Sequence, residues 1–237
     1  MRKQELITLV FTYNERENIK LIIENYFSLF PKQYLLVVDD NSPDKTSEIV
    51  KRLSEKYENL FLLLRKGEKG RGKAAKEAFQ YILERFSSKF IIQMDGDFSH
   101  RPETISLILK SLENYDVAIA SRFLKGGKDL RKDLLRRSMS RLANIWLGFL
   151  FGYHIKDKTS GFSGYRRKVI KKIYRHLKSD GPEIIEEIFY FLKKYGFSII
   201  EIPYEFHERE SGETKLDFAK IIRCFLATIK LKLFGSL

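Results

Sequence analysis

Lys89-Phe90-Ile91-Ile92-Gln93-Met94-Asp95-Gly96-Asp97 is the stretch that decides how this chain folds. Its apolar part is short, β-branched and aromatic, and turn residues follow at Gly96, Ser99 and Pro102, so it reads as a buried strand running into a loop. A strand that ends on Asp-x-Asp carries two anionic side chains to the carboxyl edge of a sheet, where open α/β folds bind ligands. Hard divalent ions favour one or two carboxylates completed by the oxygens of a substrate diphosphate. Alone the pattern is weak, because Asp-x-Asp is common in surface turns.

Working outward, strands are expected at about Glu5–Phe11, Tyr34–Asp39, Leu60–Leu64, Phe90–Asp95 and Asp116–Ala120. Helical patterns lie between them, at about Glu17–Phe30, Lys45–Tyr57, Gly72–Phe86 and Pro102–Leu112. Asn41-Ser42-Pro43-Asp44 reads as a turn in which Asp44 caps the following helix. Such alternation predicts crossover units and a mostly parallel sheet. The second half differs. Residues 122–133 read as a glycine- and charge-rich mobile loop, followed by a long helix at about 134–153 and a second loop at 156–164. Helices at about 168–177 and 183–195 then precede a strand at about 198–206 and a polar, mobile segment at 207–214. A C-terminal helix at about 216–234 places Phe218, Ile222, Phe225, Ile229 and Leu233 on one stripe, with Lys220, Arg223 and Lys230 opposite. That pattern suits a helix docked on the core or one lying on anionic lipid. The expected organisation is a domain over residues 1–212 and an amphipathic helix in 213–237 that could serve as a membrane-surface anchor.

The chain has 237 residues, enough to bury a full core, and a formal charge of +13. Such an excess points to an anionic partner, whether nucleic acid, an acidic membrane surface or a phosphorylated substrate, and equally suits a charge-rich thermophile surface. The single cysteine, Cys224, excludes an intramolecular disulfide and fits a reducing compartment. No segment approaches the roughly 20 apolar residues that cross a bilayer, and the N-terminal residues lack the apolar core of a signal peptide.

The strand ends assemble a constellation. The first closes on Thr12-Tyr13-Asn14-Glu15 and the second on Asp39-Asp40-Asn41-Ser42. In a parallel sheet both share an edge with Asp95 and Asp97. Each cluster by itself passes for a turn or helix cap, but three acidic clusters on one edge repel one another and call for a cationic or hydroxyl-rich ligand. Gly67-Glu68-Lys69-Gly70-Arg71-Gly72 lacks the Gly-Lys-Ser/Thr ending of a P-loop and reads as close backbone packing, with the next helix adding positive potential. Arg122, Arg136, Arg137, Arg141 and Arg209 lie in or beside the loops of the second half, and Ser140 falls one turn after Arg136. Arginine forks suit phosphate oxygens. His100, His154, His176 and His207 are scattered, and neither a nucleophile triad nor a zinc spacing is present.

Phe11-Thr12-Tyr13-Asn14-Glu15-Arg16-Glu17-Asn18-Ile19, Val38-Asp39-Asp40-Asn41-Ser42-Pro43-Asp44 and Met94-Asp95-Gly96-Asp97-Phe98-Ser99-His100-Arg101-Pro102-Glu103 resemble the motifs of family 2 glycosyltransferases of the GT-A fold, and more narrowly of the dolichol-phosphate (polyprenol-phosphate) mannose synthases. Ser121-Arg122-Phe123, Arg136 through Ser140 to Asn144, and Asp157-Lys158-Thr159-Ser160-Gly161-Phe162 extend the likeness. Phe11 stands where that family usually has proline. The resemblance implies an α/β fold and a nucleotide site formed by Phe11, Tyr13, Glu15, Asp40, Asp95 and Gly96. It further implies Mg²⁺ or Mn²⁺ on Asp95, Asp97 and Ser99, and a phosphate cradle of Arg122, Arg136, Ser140 and Arg209 working with Asp97.

On the same likeness the expected reaction is inverting transfer of mannose from GDP-mannose to dolichyl or polyprenyl phosphate at the cytoplasmic face of a membrane. A separate anchoring subunit is a possible partner. The alternative is a UDP-sugar donor, such as glucose, on the same fold. A binding module for nucleic acid or membranes would account for the charge but leaves the acidic strand ends unexplained, and no nucleic-acid motif is present.

Overall fold

A computed structural model describes residues 4–152, 154–208 and 218–235, with side chains in the last segment described from residue 222. The first half alternates β1 (Leu6–Thr12), α1 (Ile19–Leu29), β2 (Tyr34–Asp39), α2 (Thr46–Ser54), β3 (Leu60–Leu64), α3 (Arg71–Arg85), β4 (Phe90–Asp95), α4 (Ile105–Leu112) and β5 (Val117–Ser121). The second half holds β6 (Lys128–Asp129), α5 (Leu134–Phe151), β7 (Ser163–Arg166), α6 (Arg167–Ile173), α7 (Ile184–Lys194), β8 (Ile199–Pro203), β9 (Glu205–Phe206) and α8 (Phe218–Phe234). The main sheet runs β3-β2-β1-β4-β7-β5-β8, parallel except for β7, and β6 pairs with β9 beside it.

Both faces of the sheet are covered, so successive residues of β1 are buried in turn. Leu6 and Val10 pack with α1, α2 and α4, while Ile7, Leu9 and Phe11 pack with α3, α6 and α7. This doubly covered sheet explains the unbroken apolar runs read as strands. Register puts Thr12 opposite Asp39 and Phe11 opposite Asp95, so the three acidic strand ends lie on one edge as expected. Asp44 accepts the Thr46 amide at 2.9 Å, the first N–H of α2, from one residue before the N-cap position, which is Lys45.

Three expectations need correction. Residues 163–166, counted partly as loop, form an antiparallel strand wedged between β4 and β5. The loop at 122–133 contains the short strand β6. The packing stripe of α8 is also displaced. Ile222, Phe225 and Leu233 are exposed, whereas Thr228 and Leu231 are buried. Leu231 joins Leu147 and Phe151 of α5, Trp146 lies 4.5 Å from the Phe225 ring, and its indole N–H donates to Thr228 Oγ1 at 3.1 Å. Phe225 of the stripe, with Thr228 and Leu231 off it, therefore makes the contact with α5. No helix among the described residues is long and apolar enough to cross a membrane.

Candidate active site

The carboxyl edge of β1, β2 and β4 is organised by side chains that fix one another. Asp39, fully buried, accepts from Thr12 Oγ1 at 2.9 Å and from the Ser42 amide and hydroxyl at 2.9 and 2.6 Å. It ties β1 to β2 and leaves Asp40 at the rim. Asp40 accepts from Arg65 and, at 3.0 Å, from the Gly70 amide, and this anchors the glycine-rich loop over the strand ends. Lys69 of that loop lies 4.3 Å from the Tyr13 ring centroid and donates to its hydroxyl. Tyr13 is otherwise exposed, a flat aromatic face beside a cation. The Glu15 amide donates to Thr46 Oγ1 at 3.1 Å, and its carboxylate accepts from Asn18 at 2.8 Å.

Gly96 is required at the turn after Asp95. A Cβ there would come within 2.7 Å of Thr12 Cγ2 and 3.0 Å of the Phe11 carbonyl oxygen. Phe98 is buried in the left-handed region at φ 62°, a strained backbone of the kind that collects at functional sites. Asp97 is also buried, not solvated as a strand-end crevice suggests, and its Oδ1 accepts the Ser99 amide at 3.1 Å and the Ser99 hydroxyl at 2.5 Å.

Asp95 is flanked by two residues whose role was not visible in the sequence. Arg71 Nε lies 3.7 Å from Oδ1, and His100 Nδ1 lies 3.9 Å from Oδ2 while accepting the Asp95 amide at 3.1 Å. Accepting through Nδ1 makes His100 a neutral imidazole. Burial also lowers its pKa, with Asp95 and Asp97 opposing. The sequence signals were the place of His100 in the Met94–Glu103 motif and of Arg71 in the glycine-rich loop. The His100 ring stacks on Phe162 at 5.0 Å.

Asp95 and Asp97 offer only oxygen, which suits Mg²⁺ or Mn²⁺, ions that take few protein ligands plus phosphate oxygens. Among the described residues no cluster of three or more His, Cys, Asp or Glu side chains able to hold a metal occurs. Gly161 keeps the approach open, since a Cβ there would stand 3.4 Å from Asp95 Oδ2.

A second polar cluster adjoins the first. Arg122 is buried and bidentate to Asp157, with Nε and Nη2 each 2.7 Å from a carboxylate oxygen, and Nη2 also reaches Thr159 Oγ1 at 2.8 Å. The Asp157 carboxylate raises the Arg122 pKa further above its already high value, outweighing desolvation. Arg131, not singled out in the sequence, grips Asp129 and donates to Ser140 Oγ at 3.0 Å. Arg136 lies in the first turn of α5 and pairs with Asp133 at 3.0 Å. Both Arg122 and Arg131 stand over the Phe206 ring, at 5.2 and 5.1 Å, and Phe206 lies 5.6 Å from His100. Phe206 therefore joins the arginine cluster to the carboxylates. Arg209 lies outside the described residues. Ser140 and Thr159 also line a cavity of about 530 Å³ whose other walls include Leu142, Trp146, Leu147 and Phe225.

The chain matches the family model for glycosyl transferase family 2 over residues 8–174. It belongs to that family. A polyprenol monophosphomannose synthase of Mycolicibacterium smegmatis is 34% identical to this family 2 glycosyltransferase over 221 residues, covering 92% of the chain and 83% of the relative. An undecaprenyl-phosphate mannosyltransferase of Micrococcus luteus is 30% identical over 212 residues, covering 89% of the chain and 87% of the relative. Among solved structures, glucosyl-3-phosphoglycerate synthase from Mycobacterium tuberculosis, in complex with Mn²⁺, UDP-glucose and phosphoglyceric acid, superposes with a TM-score of 0.71. It is 15% identical, over 97% of this chain and 79% of that one. That likeness establishes the GT-A-like fold of this glycosyltransferase.

Proposed function

We propose that the protein transfers mannose from GDP-mannose to a polyprenyl or dolichyl phosphate, inverting the anomeric centre, as a peripheral enzyme at the cytoplasmic face of a membrane. The observation that carries this reading is the junction at Phe206. On one side lie the carboxylates of the nucleotide-sugar edge. On the other, the arginine cluster opens through Ser140 and Thr159 onto an apolar cavity. A polar cluster beside an apolar cavity suits an acceptor with a phosphate head and a hydrocarbon tail. The names of both curated relatives, one a polyprenol and the other an undecaprenyl-phosphate enzyme, support the same acceptor class.

The residues divide the work. Tyr13, Glu15 and Asp40 face the nucleoside, with Phe11 and Gly96 shaping the floor. Asp95, Asp97 and Ser99 hold the divalent ion, which supplies Lewis-acid stabilisation of the leaving diphosphate. Arg136, Ser140 and Arg209 orient the acceptor phosphate. Arg122 holds the 157–159 segment in place through Asp157 and Thr159. A phosphate monoester is already anionic near neutral pH, so alignment and charge stabilisation suffice and no strong base is needed. The neutral His100 fits this economy of bases, since it positions Asp95 instead of taking a proton.

The apolar side chains Leu142, Ile145 and Phe149 of α5 and Ile222, Leu226 and Leu233 of α8 are exposed and give the enzyme a surface for the bilayer that holds the acceptor tail. A donor panel on the purified protein tests the reading. With polyprenyl phosphate and Mg²⁺ or Mn²⁺, GDP-mannose should exceed UDP-glucose as donor. Preference for UDP-glucose would move the protein to the alternative reading.

A further inference from the structure

Arg71 is placed where an arginine does not help the fold. It opens α3, at the positive end of the helix dipole, where a cation is disfavoured. Its guanidinium carbon lies over the Phe11 ring, 3.6 Å from the centroid. Nη1 and Nη2 are buried, and among the described residues neither has a hydrogen-bond partner. Unsatisfied buried donors are costly. The carboxylate that faces it is Asp95, 3.7 Å from Nε. Phe11 thus acts as a platform that holds a positive charge against one of the two metal carboxylates.

We propose that Arg71 is a positioning residue that occupies Asp95 in the free enzyme, keeping the carboxylate pair a poor cation site until the donor diphosphate arrives. The inference deepens the site reading above and rests on it. A divalent ion entering alone meets the guanidinium's repulsion. When it enters with a diphosphate, the added negative charge offsets that repulsion and draws Arg71 and the ion to the same anion. Cation and nucleotide then bind as one coupled event, each raising the other's affinity by the same factor. The pairing of an aromatic residue at position 11 with an arginine at position 71 is what builds the device, because the ring carries the guanidinium while Nε stays 3.7 Å from Asp95 Oδ1.

The test is a binding measurement on the full chain, with MnCl₂ followed by the paramagnetic resonance of free Mn²⁺, with and without GDP or UDP. In Arg71→Leu and Arg71→Gln, measured in parallel so that the fold of one variant does not decide the outcome, Mn²⁺ alone should bind about tenfold tighter. The gain in Mn²⁺ affinity on adding nucleotide should shrink by a similar factor. Arg71→Lys, which keeps the charge, should stay within about twofold of the native protein for Mn²⁺ alone. Native-like coupling in folded Leu or Gln variants, or weaker Mn²⁺ binding without nucleotide, overturns the role of Arg71 while leaving the site reading intact. A native chain whose Mn²⁺ affinity responds to neither nucleotide overturns both.

Discussion

Arg122 and Asp157 form a closed, buried ion pair: Nε reaches Oδ2 and Nη2 reaches Oδ1, each at 2.7 Å, and the Arg122 amide donates to the same carboxylate at 3.0 Å. The pair fastens β5 to the segment that carries Thr159. Arg122→Ala should therefore lower stability by about 3–5 kcal/mol, because it strands a buried carboxylate. Urea unfolding measures this. The double change Arg122→Met with Asp157→Leu should cost less than Arg122→Ala alone. Activity loss in Arg122→Ala with unchanged stability would instead give Arg122 a direct role on phosphate.

Asp97→Asn should abolish transfer with little change in stability. The asparagine carbonyl can still accept from Ser99, so the local hydrogen bonds survive, while one of the two carboxylates proposed to hold the cation is lost. Steady-state kinetics alongside thermal unfolding check both halves. Retention of most metal-dependent turnover would contradict the assignment.

On α8 the sequence stripe suggests truncation as the test of an anchor, and the structure argues for point substitutions. Leu231 is fully buried, so Leu231→Ala should cost about 2–5 kcal/mol, and removing the whole helix would expose Trp146 and Leu147. Leu226→Ser with Leu233→Ser touches exposed positions only. This variant should keep native stability yet float less with anionic vesicles, and flotation equal to the native protein would count against lipid contact there.

Glu186 predicts a pH dependence. It borders the apolar cavity beneath α8, its Oε2 has no hydrogen-bond partner among the described residues, and burial pushes its pKa up to about 7, with Glu183 adding to the rise. The neighbouring groups are Cys224, whose thiol burial pushes up to about 12, and the Arg223–Glu183 pair at 2.8 Å. The folded state holds a proton that the unfolded chain releases near its ordinary value of 4.5. Stability from this group is therefore fully present below about 4.5, falls as pH rises to about 7, and is level above that. The fall should be on the order of 3 kcal/mol. Denaturation midpoints read by Trp146 fluorescence should show this slope in the native protein and lose it in Glu186→Gln.

The parts of this molecule that were legible in the sequence are those set by local patterns. The apolar runs Tyr34–Asp39, Leu60–Leu64 and Phe90–Asp95 coincide with strands because both sheet faces are covered, and Asp40, Asp95 and Asp97 fall at strand ends by spacing alone. What escaped depends on partners distant in the chain. Ser163–Arg166 is too short and polar to announce a strand, and it becomes one because β4 and β5 flank it. Arg71 is one charge in a basic loop until Phe11 lies beneath it. Arg131 gains meaning only through Asp129 and Ser140. Of the large apolar stripe of α8, among the described residues, only Phe225 reaches Trp146 of α5, and Thr228 and Leu231, which lie off the stripe, complete that contact.

The central claim is that the arginine cluster and the adjoining cavity select a phosphate carrying a hydrocarbon chain. The direct measurement is transfer of labelled mannose from GDP-mannose to a series of phosphates differing only in the tail: polyprenyl phosphate, a short isoprenyl phosphate, glycerol phosphate and 3-phosphoglycerate. The value of kcat/KM should rise with isoprenyl length, with no measurable product from the two soluble acceptors. Equal or better transfer to 3-phosphoglycerate would contradict it.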